Sequence, residues 1–228
     1  MKRAVMRAIY RLNSRSRVMK LDFFWDVFKP RPGTCVLNLG AAPPHRGRVL
    51  LGYNRTDLLE QPEQDPRWKT LRVIGCSLNR EDMREYRRLY QHLGFAALVV
   101  DGCQLPFPDK SIDIVFSNAV IEHVHPPDQL RMAKEIMRVG RSWFVTTPNF
   151  WYPVELHNML PFLHFLPKST QFAIEERLGT YPPTEPLNLL SARQLRGLFP
   201  GSSIRRVRVT FYPETLIAYR ADGIGAAS

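Results

Sequence analysis

The stretch from Leu98 to Val124 constrains the fold of this chain more than any other part of its sequence. It contains two short apolar runs, Leu98–Val100 and Ile112–Phe116, and small polar residues follow each of them. Apolar runs of this length are typical of strands that are buried on both faces of a parallel sheet. The polar residues would then lie at the carboxyl edge of the sheet, where open α/β sheets bind ligands. The stretch therefore predicts an α/β fold with a ligand site beside these two strands.

Within this stretch, residues 101–124 follow the order D-G-x-x-L-P-F-P-D-x-S-x-D-I-V-x-S-N-x-V-I-E-H-V. The order resembles the middle of the class I S-adenosylmethionine-dependent methyltransferases, in particular the group called methyltransferase type 11, and the likeness extends more loosely from Thr34 to Arg220. The resemblance implies a Rossmann-like, seven-stranded, mostly parallel sheet with helices on both faces and a C-terminal antiparallel strand pair. It also implies that S-adenosylmethionine is the cofactor.

The chain has 228 residues, enough for one α/β domain with a full core. We divide it into a basic amphipathic N-terminal segment (residues 1–31), a methyltransferase domain (32–220) and a flexible tail (221–228). Residues 150–190 are interpreted as a lid or acceptor insertion, because their first part is crowded with aromatic side chains. The proline-bearing second part, 167–190, is predicted to be linker-like.

The N-terminal segment holds most of the charge. The net charge is +11, and residues 1–31 contribute +7 of it, from nine Lys or Arg against two Asp. Residues 4–12 place apolar side chains on one helical face and arginines on the other. Such a helix can cap the domain, lie on anionic lipid or contact nucleic acid, and it also fits a mitochondrial presequence. The apolar residues that follow are predicted to pack against the sheet: Leu21, Phe23, Phe24, Trp25, Val27 and Phe28.

Targeting and cysteine signals favour a cytoplasmic protein, and the basic N-terminal helix leaves open a peripheral position at the inner face of the membrane. No apolar run reaches the roughly 18 residues that span a bilayer, and the N-terminus lacks an uninterrupted apolar signal region. Cys35, Cys76 and Cys103 are odd in number and form no C-x-x-C pair, so we expect reduced thiols. No metal site is predicted, since E-H-x-H without a further His or Cys cluster is a weak ligand pattern.

The second strand has two candidates in the sequence. Thr34–Leu39 is the first strand, and either Val49–Asp57 or Leu71–Leu78 follows it. We prefer Leu71–Leu78, because a helix signal comes directly after it, beginning at the N-cap Asn79 and ending at Gly94. Residues 41–69 then form an irregular or partly helical insertion.

The later elements are predicted from periodicity and caps. The first is a helix, Asp128–Val139, with these residues facing the sheet: Leu130, Ala133, Ile136, Met137 and Val139. A strand (Trp143–Thr147) and a helix that is capped by Ser191 and ends at Phe199 follow. The last two are the strands of an antiparallel pair, from Ile204 to Phe211 and from Thr215 to Tyr219.

The resemblance assigns cofactor contacts to the ends of the first four strands. It implies that the Asp101 carboxylate accepts from the adenine amino group while the backbone of Gly102 and Cys103 reaches the ring, and that Ser117 and Asn118 lie over the methionine end. The glycine-rich loop keeps only Gly40, followed by Ala41. Ser77 occupies the place of the usual ribose-binding acid, with Asp57 as the alternative ribose ligand.

Methyl transfer to an O, N or C nucleophile is the function that the resemblance implies. His123 is the first candidate for a general base and His157 the second, with Glu122 a weaker one. The aromatic insertion and the basic surface favour a small-molecule, lipid-linked or glycan-like acceptor. Two alternatives stay open: a methyltransferase-like binding domain without catalysis, and a basic protein that binds a membrane surface or nucleic acid, of which nucleic acid is disfavoured because no recognition motif accompanies the charge.

Overall fold

The computed structural model describes the backbone of residues 2–43, 62–154, 161–178 and 187–222, and side chains from residue 15 onward within these ranges apart from that of residue 178. The Val49–Asp57 candidate strand, His157 and most of the predicted tail lie outside the described residues.

Seven strands form one sheet in the order β3-β2-β1-β4-β5-β7-β6, with β1 to β5 parallel and β7 antiparallel to both of its neighbours. The predicted fold class is confirmed. In chain order the helices and strands are α1 (Lys2–Phe28), β1 (Cys35–Leu39), β2 (Arg72–Ser77), α2 (Arg80–Tyr90), β3 (Ala96–Val99), β4 (Ile112–Asn118), α3 (Pro126–Val139), β5 (Gly140–Pro148), α4 (Lys168–Leu178), α5 (Ala192–Leu198), β6 (Ser203–Val207) and β7 (Thr215–Arg220). Short 3-10 helices cover 62–64, 66–70, 91–93, 121–123 and 163–165.

The preferred second strand is confirmed, because β2 pairs with β1 on one side and β3 on the other. The predicted helix follows it as α2. Asn79 Oδ1 accepts from the backbone N–H groups of Glu81 and Asp82, which caps the first turn. Gly94 ends the helical stretch in the left-handed region, with φ +74°.

β3 differs from the prediction of a strand buried on both faces. It begins at Ala96, and Ala97 is its only buried residue, whereas Leu98 and Val99 are 36% and 45% exposed. The physical reason is its position: β3 is at the edge of the sheet and pairs with β2 alone. An apolar run can therefore mark an edge strand as well as a central one.

α1 is a continuous helix that packs its C-terminal third on one face of the sheet. Phe24 is fully buried and contacts Phe28, Trp68, Phe116 and Phe144, with ring centroids 5.0 to 5.8 Å apart. The predicted packing of the Leu21 to Phe28 cluster is confirmed. Pro30 follows the helix and cannot continue it.

α1 also runs from the carboxyl edge of the sheet toward the amino edge. Lys20 reaches the last residue of β4, whereas the residues after Phe28 lead into the start of β1. The helix therefore continues on the carboxyl-edge side of Lys20 for 18 residues, about 27 Å at 1.5 Å per residue, and Ser16 in this part is buried.

α3 and α5 cover the opposite face of the sheet. α3 buries Met132, Ala133 and Ile136, but Leu130, which we predicted to face the sheet, is exposed. The helix begins two residues earlier than predicted, since Pro126 and Pro127 are tolerated in a first turn. Met132 takes the core position that the sequence pattern had assigned to Leu130.

Two predictions for the C-terminal third are wrong. Residues 168–178 form α4 and not a linker, because KSTQFAIEERL contains no Gly or Pro. Two of its polar residues, Gln171 and Glu175, are buried against other segments of the same chain. The sixth strand ends at Val207, and Phe211 is 79% exposed. There the backbone N–H of Val209 donates to the Glu214 carboxylate instead of extending the ladder.

Candidate functional site

The turn after β1 forms one end of the site. Gly40 has φ +82°, and a β-carbon there would lie 2.2 Å from Cγ2 of Val120. The position therefore needs glycine both for its conformation and for space. The N–H groups of Gly40 and Ala41 both donate to the carbonyl of Cys76, at 2.8 and 3.0 Å. These bonds fix the turn against the end of β2.

The ends of β2 and β3 present a hydroxyl and a carboxylate. Ser77 is half-buried, and its Oγ accepts from the backbone N–H of Asn79 at 3.3 Å. Asp101 is exposed, and its Oδ1 accepts from the backbone N–H of Cys103 at 2.8 Å. Asp101 thus orders its own loop through one oxygen, and the neighbouring Gly102 lies close over Leu39 of β1.

β4 ends in a buried serine and a hydrogen-bonded asparagine. Ser117 is fully buried, and its Oγ has no hydrogen-bond partner among the described residues. Asn118 Oδ1 accepts from the Thr146 hydroxyl at 2.8 Å and from the Lys20 ammonium at 2.9 Å. Ala119 then turns the chain away with φ +56°.

Lys20 of α1 joins the site through that hydrogen bond, although the sequence did not predict it as a site residue. Its side chain is buried, with the residue 9% exposed. Burial disfavours the ammonium form and lowers the pKa of Lys20 to about 8; Arg17 lowers it further, and the carboxylates of Glu122 and Glu214 partly offset both effects.

A signal for Lys20 was present in the sequence. Lys20 precedes Phe24 by four residues and Phe28 by eight, so the three share one helical stripe. A lysine inside an otherwise apolar stripe indicates that its amine meets a polar group in or beside the core.

Two further carboxylates are buried beside this lysine. Glu122 is fully buried in the 3-10 turn 121–123. Glu214 precedes β7, and one of its oxygens accepts from Val209, whereas Oε1 has no hydrogen-bond partner among the described residues. His123, the first candidate base, is exposed next to Glu122.

A third buried carboxylate lies under the sheet. Glu63 Oε1 accepts from the Tyr86 hydroxyl at 2.7 Å and from Asn38 Nδ2 at 2.5 Å. Burial raises the pKa of Glu63, and these two hydrogen bonds counteract part of that rise. The group ties β1 and α2 to the 62–64 turn.

Apolar side chains are exposed along the same edge of the sheet. Trp151 and Phe162 are 57% and 62% exposed, and both pack against the ring of Phe165. The loop before β7 lies beside them, because the Tyr152 hydroxyl is 3.2 Å from that of Thr210. We name the exposed set the aromatic edge: Trp151, Phe162, Phe165, Leu166, Phe211 and Tyr212.

The three cysteines are free. Burial raises the pKa of Cys76 to about 12 and that of Cys103 to about 11, so both stay thiols at neutral pH. In the described ranges no cluster of three or more His, Cys, Asp or Glu could hold a metal ion. Among the same residues no helix is long and apolar enough to cross a membrane.

The structure thus brings most of the predicted site residues to one edge, along the ends of β1 to β4. They are Gly40, Ala41, Ser77, Asp101, Gly102, Cys103, Ser117, Asn118 and His123. Asp57 and His157 lie outside the described residues. Residues that the sequence did not point to are Lys20, Glu63, Thr146 and Glu214.

Comparisons with known proteins agree with this architecture. No curated protein matches the chain. A protein from Pyrococcus horikoshii is similar in structure, with a TM-score of 0.56 at 16% identity, covering 90% of this chain and 89% of that one. A SAM-dependent methyltransferase from Methanosarcina mazei gives 0.54 at 15%, covering 83% and 92%. Phosphoethanolamine N-methyltransferase 2 of Haemonchus contortus, solved with S-adenosyl-L-methionine, gives 0.52 at 16%, covering 83% and 38%. At these identities the likeness concerns the fold.

The sequence itself supplies the family. Residues 61–142 match the type 11 family of methyltransferase domains, a range that runs from the 62–64 turn to the first residues of β5 and includes the D-G to E-H-V stretch. Together with the sheet order, this match identifies residues 61–142 as a type 11 methyltransferase domain within the class I fold of S-adenosylmethionine-dependent methyltransferases.

Proposed function

We propose that this methyltransferase acts on an apolar, lipid-linked acceptor at an anionic membrane surface. The observation that carries the proposal is the aromatic edge, which exposes Trp151, Phe162 and Phe211 on the side of the sheet where the cofactor would bind. Large exposed apolar patches mark binding surfaces, and exposed Trp and Phe beside cations are typical of proteins that lie on membranes.

The N-terminal helix supports the same surface. It continues for 18 residues before Lys20, carries a net +5 of the chain's +11 from seven Lys or Arg against two Asp, and exposes Val18 and Met19 near the carboxyl edge. Each basic residue near an anionic bilayer contributes about 1 kcal/mol to binding. Basic charge and apolar side chains at one edge favour anionic lipid over nucleic acid, which would offer the aromatic edge no hydrocarbon to enter.

For the cofactor, we assign the Asp101 carboxylate to the adenine amino group, the backbone of Gly102 to the ring and the Ser77 hydroxyl to the ribose. The residues fit such a group, because Asp101 uses one oxygen for its loop and has a second for a ligand, and because the buried Ser117 hydroxyl is unpartnered among the described residues. Gly40 and Ala41 would lie along the methionine part.

When bound, S-adenosylmethionine supplies a methyl group that its sulfonium has already activated. The protein then has to orient the acceptor and exclude water. We assign to His123 the role of accepting the acceptor's proton, since its imidazole is exposed at this edge and can act as a general base. The aromatic edge would hold the apolar part of the acceptor above the site.

Vesicle sedimentation together with methyl transfer tests the proposal. The protein should sediment with phosphatidylglycerol vesicles and much less with phosphatidylcholine vesicles. Trp151→Ser combined with Phe162→Ser should weaken sedimentation at least tenfold, whereas Leu130→Ser, a control at an exposed leucine on α3, should leave it unchanged. With tritiated cofactor and cell extract, the label should enter the organic phase.

Equal sedimentation of the double variant and the wild-type protein would exclude the aromatic edge as the membrane surface. Label recovered only in the nucleic-acid or aqueous small-molecule fraction would exclude a lipid-linked acceptor.

A further inference from the structure

Asn118 receives two hydrogen bonds on one atom. Lys20 Nζ and Thr146 Oγ1 lie 2.9 and 2.8 Å from Asn118 Oδ1. An ammonium group has donors only, so the atom that faces Lys20 must be the carbonyl oxygen of the amide and not its nitrogen. The amide orientation is therefore fixed by chemistry.

The opposite atom of the amide follows from this. With Oδ1 held by two donors, Nδ2 faces away from Lys20, and it donates to no other described residue. Asn118 is the last residue of β4, at the carboxyl edge of the sheet. An N–H donor is thus presented at the place where the methionine end of the cofactor is expected.

We infer that Lys20 is a positioning residue for methyl transfer, which holds the Asn118 amide so that Nδ2 points toward the bound cofactor. Lys20 does not itself contact the reacting atoms; it acts through Asn118. The inference rests on the methyltransferase assignment and is independent of the lipid-linked acceptor. It makes the N-terminal helix part of the cofactor site, although that helix lies outside the family match.

Protonation of Lys20 controls how firmly the amide is held. The charged groups that face it are Arg17 of α1, Glu122 of the 121–123 turn and Glu214 before β7. A neutral amine has a lone pair and can accept a hydrogen bond, so above the pKa of about 8 the amide can rotate and present Oδ1 to the cofactor instead. Cofactor affinity should therefore fall as the pH rises from 7 to 9.

Calorimetric titration with S-adenosylhomocysteine tests the inference, because this probe requires no acceptor. Lys20→Met should weaken binding about tenfold at pH 7, and the remaining affinity should no longer depend on Lys20 titration. Lys20→Arg keeps a donor that stays charged, so it should bind like the wild-type protein at pH 7 and lose less affinity at pH 9. The amino group of the probe titrates alike in every variant and cancels in these comparisons.

A double-mutant cycle separates positioning from anchoring of the helix. If Lys20 acts through Asn118, then Lys20→Met should add no further loss of affinity in an Asn118→Ala background. Leu21→Ala is the matched control, since Leu21 is the adjacent buried residue and packs only in the core. It should lower the melting temperature and leave affinity for the probe unchanged.

Additive losses in the cycle, or an equal loss of affinity in Leu21→Ala, would show that Lys20 serves only to anchor α1. If Lys20→Met does not fold, the pH series of wild type against Lys20→Arg decides alone, and identical profiles overturn the inference. No binding of the probe to the wild-type protein at millimolar concentration would remove the methyltransferase assignment and this inference together. The vesicle experiment tests the lipid-linked acceptor, and its outcome does not affect the inference on Lys20.

Discussion

Two regions of this molecule meet at Asn118 and differ in how they are encoded. The region from β2 to the start of β5 carries the family pattern, and its site residues follow strands whose ends can be identified locally. α1 lies outside that pattern, yet it covers one face of the sheet and supplies Lys20, 98 residues from its hydrogen-bond partner. The family pattern thus identifies the residues expected to contact the cofactor. The residue that orients one of them, Lys20, comes from a helix outside that pattern.

The largest expected effect tests whether α1 belongs to the folded core. Phe24→Ala removes a fully buried ring that packs against Trp68, Phe116 and Phe144. We expect a loss of about 3–5 kcal/mol in the free energy of unfolding, measured by urea denaturation. Leu130→Ala, inside the family match but exposed, should cost less than about 0.5 kcal/mol. A loss below about 1 kcal/mol for Phe24→Ala would show that α1 contributes little to the stability of the domain.

The next effect concerns Asp101, the first residue of the family pattern. Asp101→Ala should weaken S-adenosylhomocysteine binding on the order of thirtyfold, the cost of about 2 kcal/mol for a lost charge-assisted hydrogen bond. Calorimetry measures it. Asp109→Ala is the control, because Asp109 is an exposed acid of the same loop that pairs with Arg138.

Asp101→Asn then distinguishes two roles of Asp101, binding of the cofactor and ordering of its own loop. It keeps an oxygen that can accept from Cys103 but removes the charge, so it should bind the probe with intermediate affinity. Unchanged affinity in Asp101→Ala would restrict Asp101 to ordering its own loop.

The smallest effect concerns the buried carboxylate that joins β1 to α2. Burial raises the pKa of Glu63 above its ordinary 4.5. Above pH 4.5 the unfolded chain therefore loses this proton while the folded chain retains it, and the free energy of unfolding falls as the pH rises toward the folded pKa. Glu63→Gln keeps an acceptor for Tyr86 and Asn38 and removes the titration.

The glutamine variant should therefore be more stable than the wild-type protein at pH 7, on the order of 1 kcal/mol, and about equal to it near pH 3.5. Urea denaturation at both pH values measures the difference. Glu81→Gln on the exposed surface of α2 should change neither value. A variant that is less stable than wild type at pH 7 would show that the Glu63 carboxylate is ionised in the folded protein.

The fold class could be predicted from the family resemblance, and the ends of β1 to β4 from local signals such as the Asn79 cap and the turn at Gly40. It placed a linker where α4 lies, because prolines further along the chain were given more weight than the helix-forming residues before them. Lys20 and Glu214 could not be predicted as neighbours, since only tertiary packing brings α1 and the loop before β7 to the end of β4. Leu98 and Val99 show the same limit, because no local signal states that their strand is at the edge.

The length of α1 has a mechanical consequence. The core contacts of the helix lie between Lys20 and Phe28, and 18 helical residues, about 27 Å long, precede them, of which Ser16 is also buried. Lys20 is close to the start of the core contacts, and a tilt of the helix by about 5° would move its first residue, about 27 Å away, by about 2 Å. A surface that binds the N-terminal part of the helix can therefore affect the hydrogen bond between Lys20 and Asn118. Attachment to that surface and cofactor binding would then be coupled.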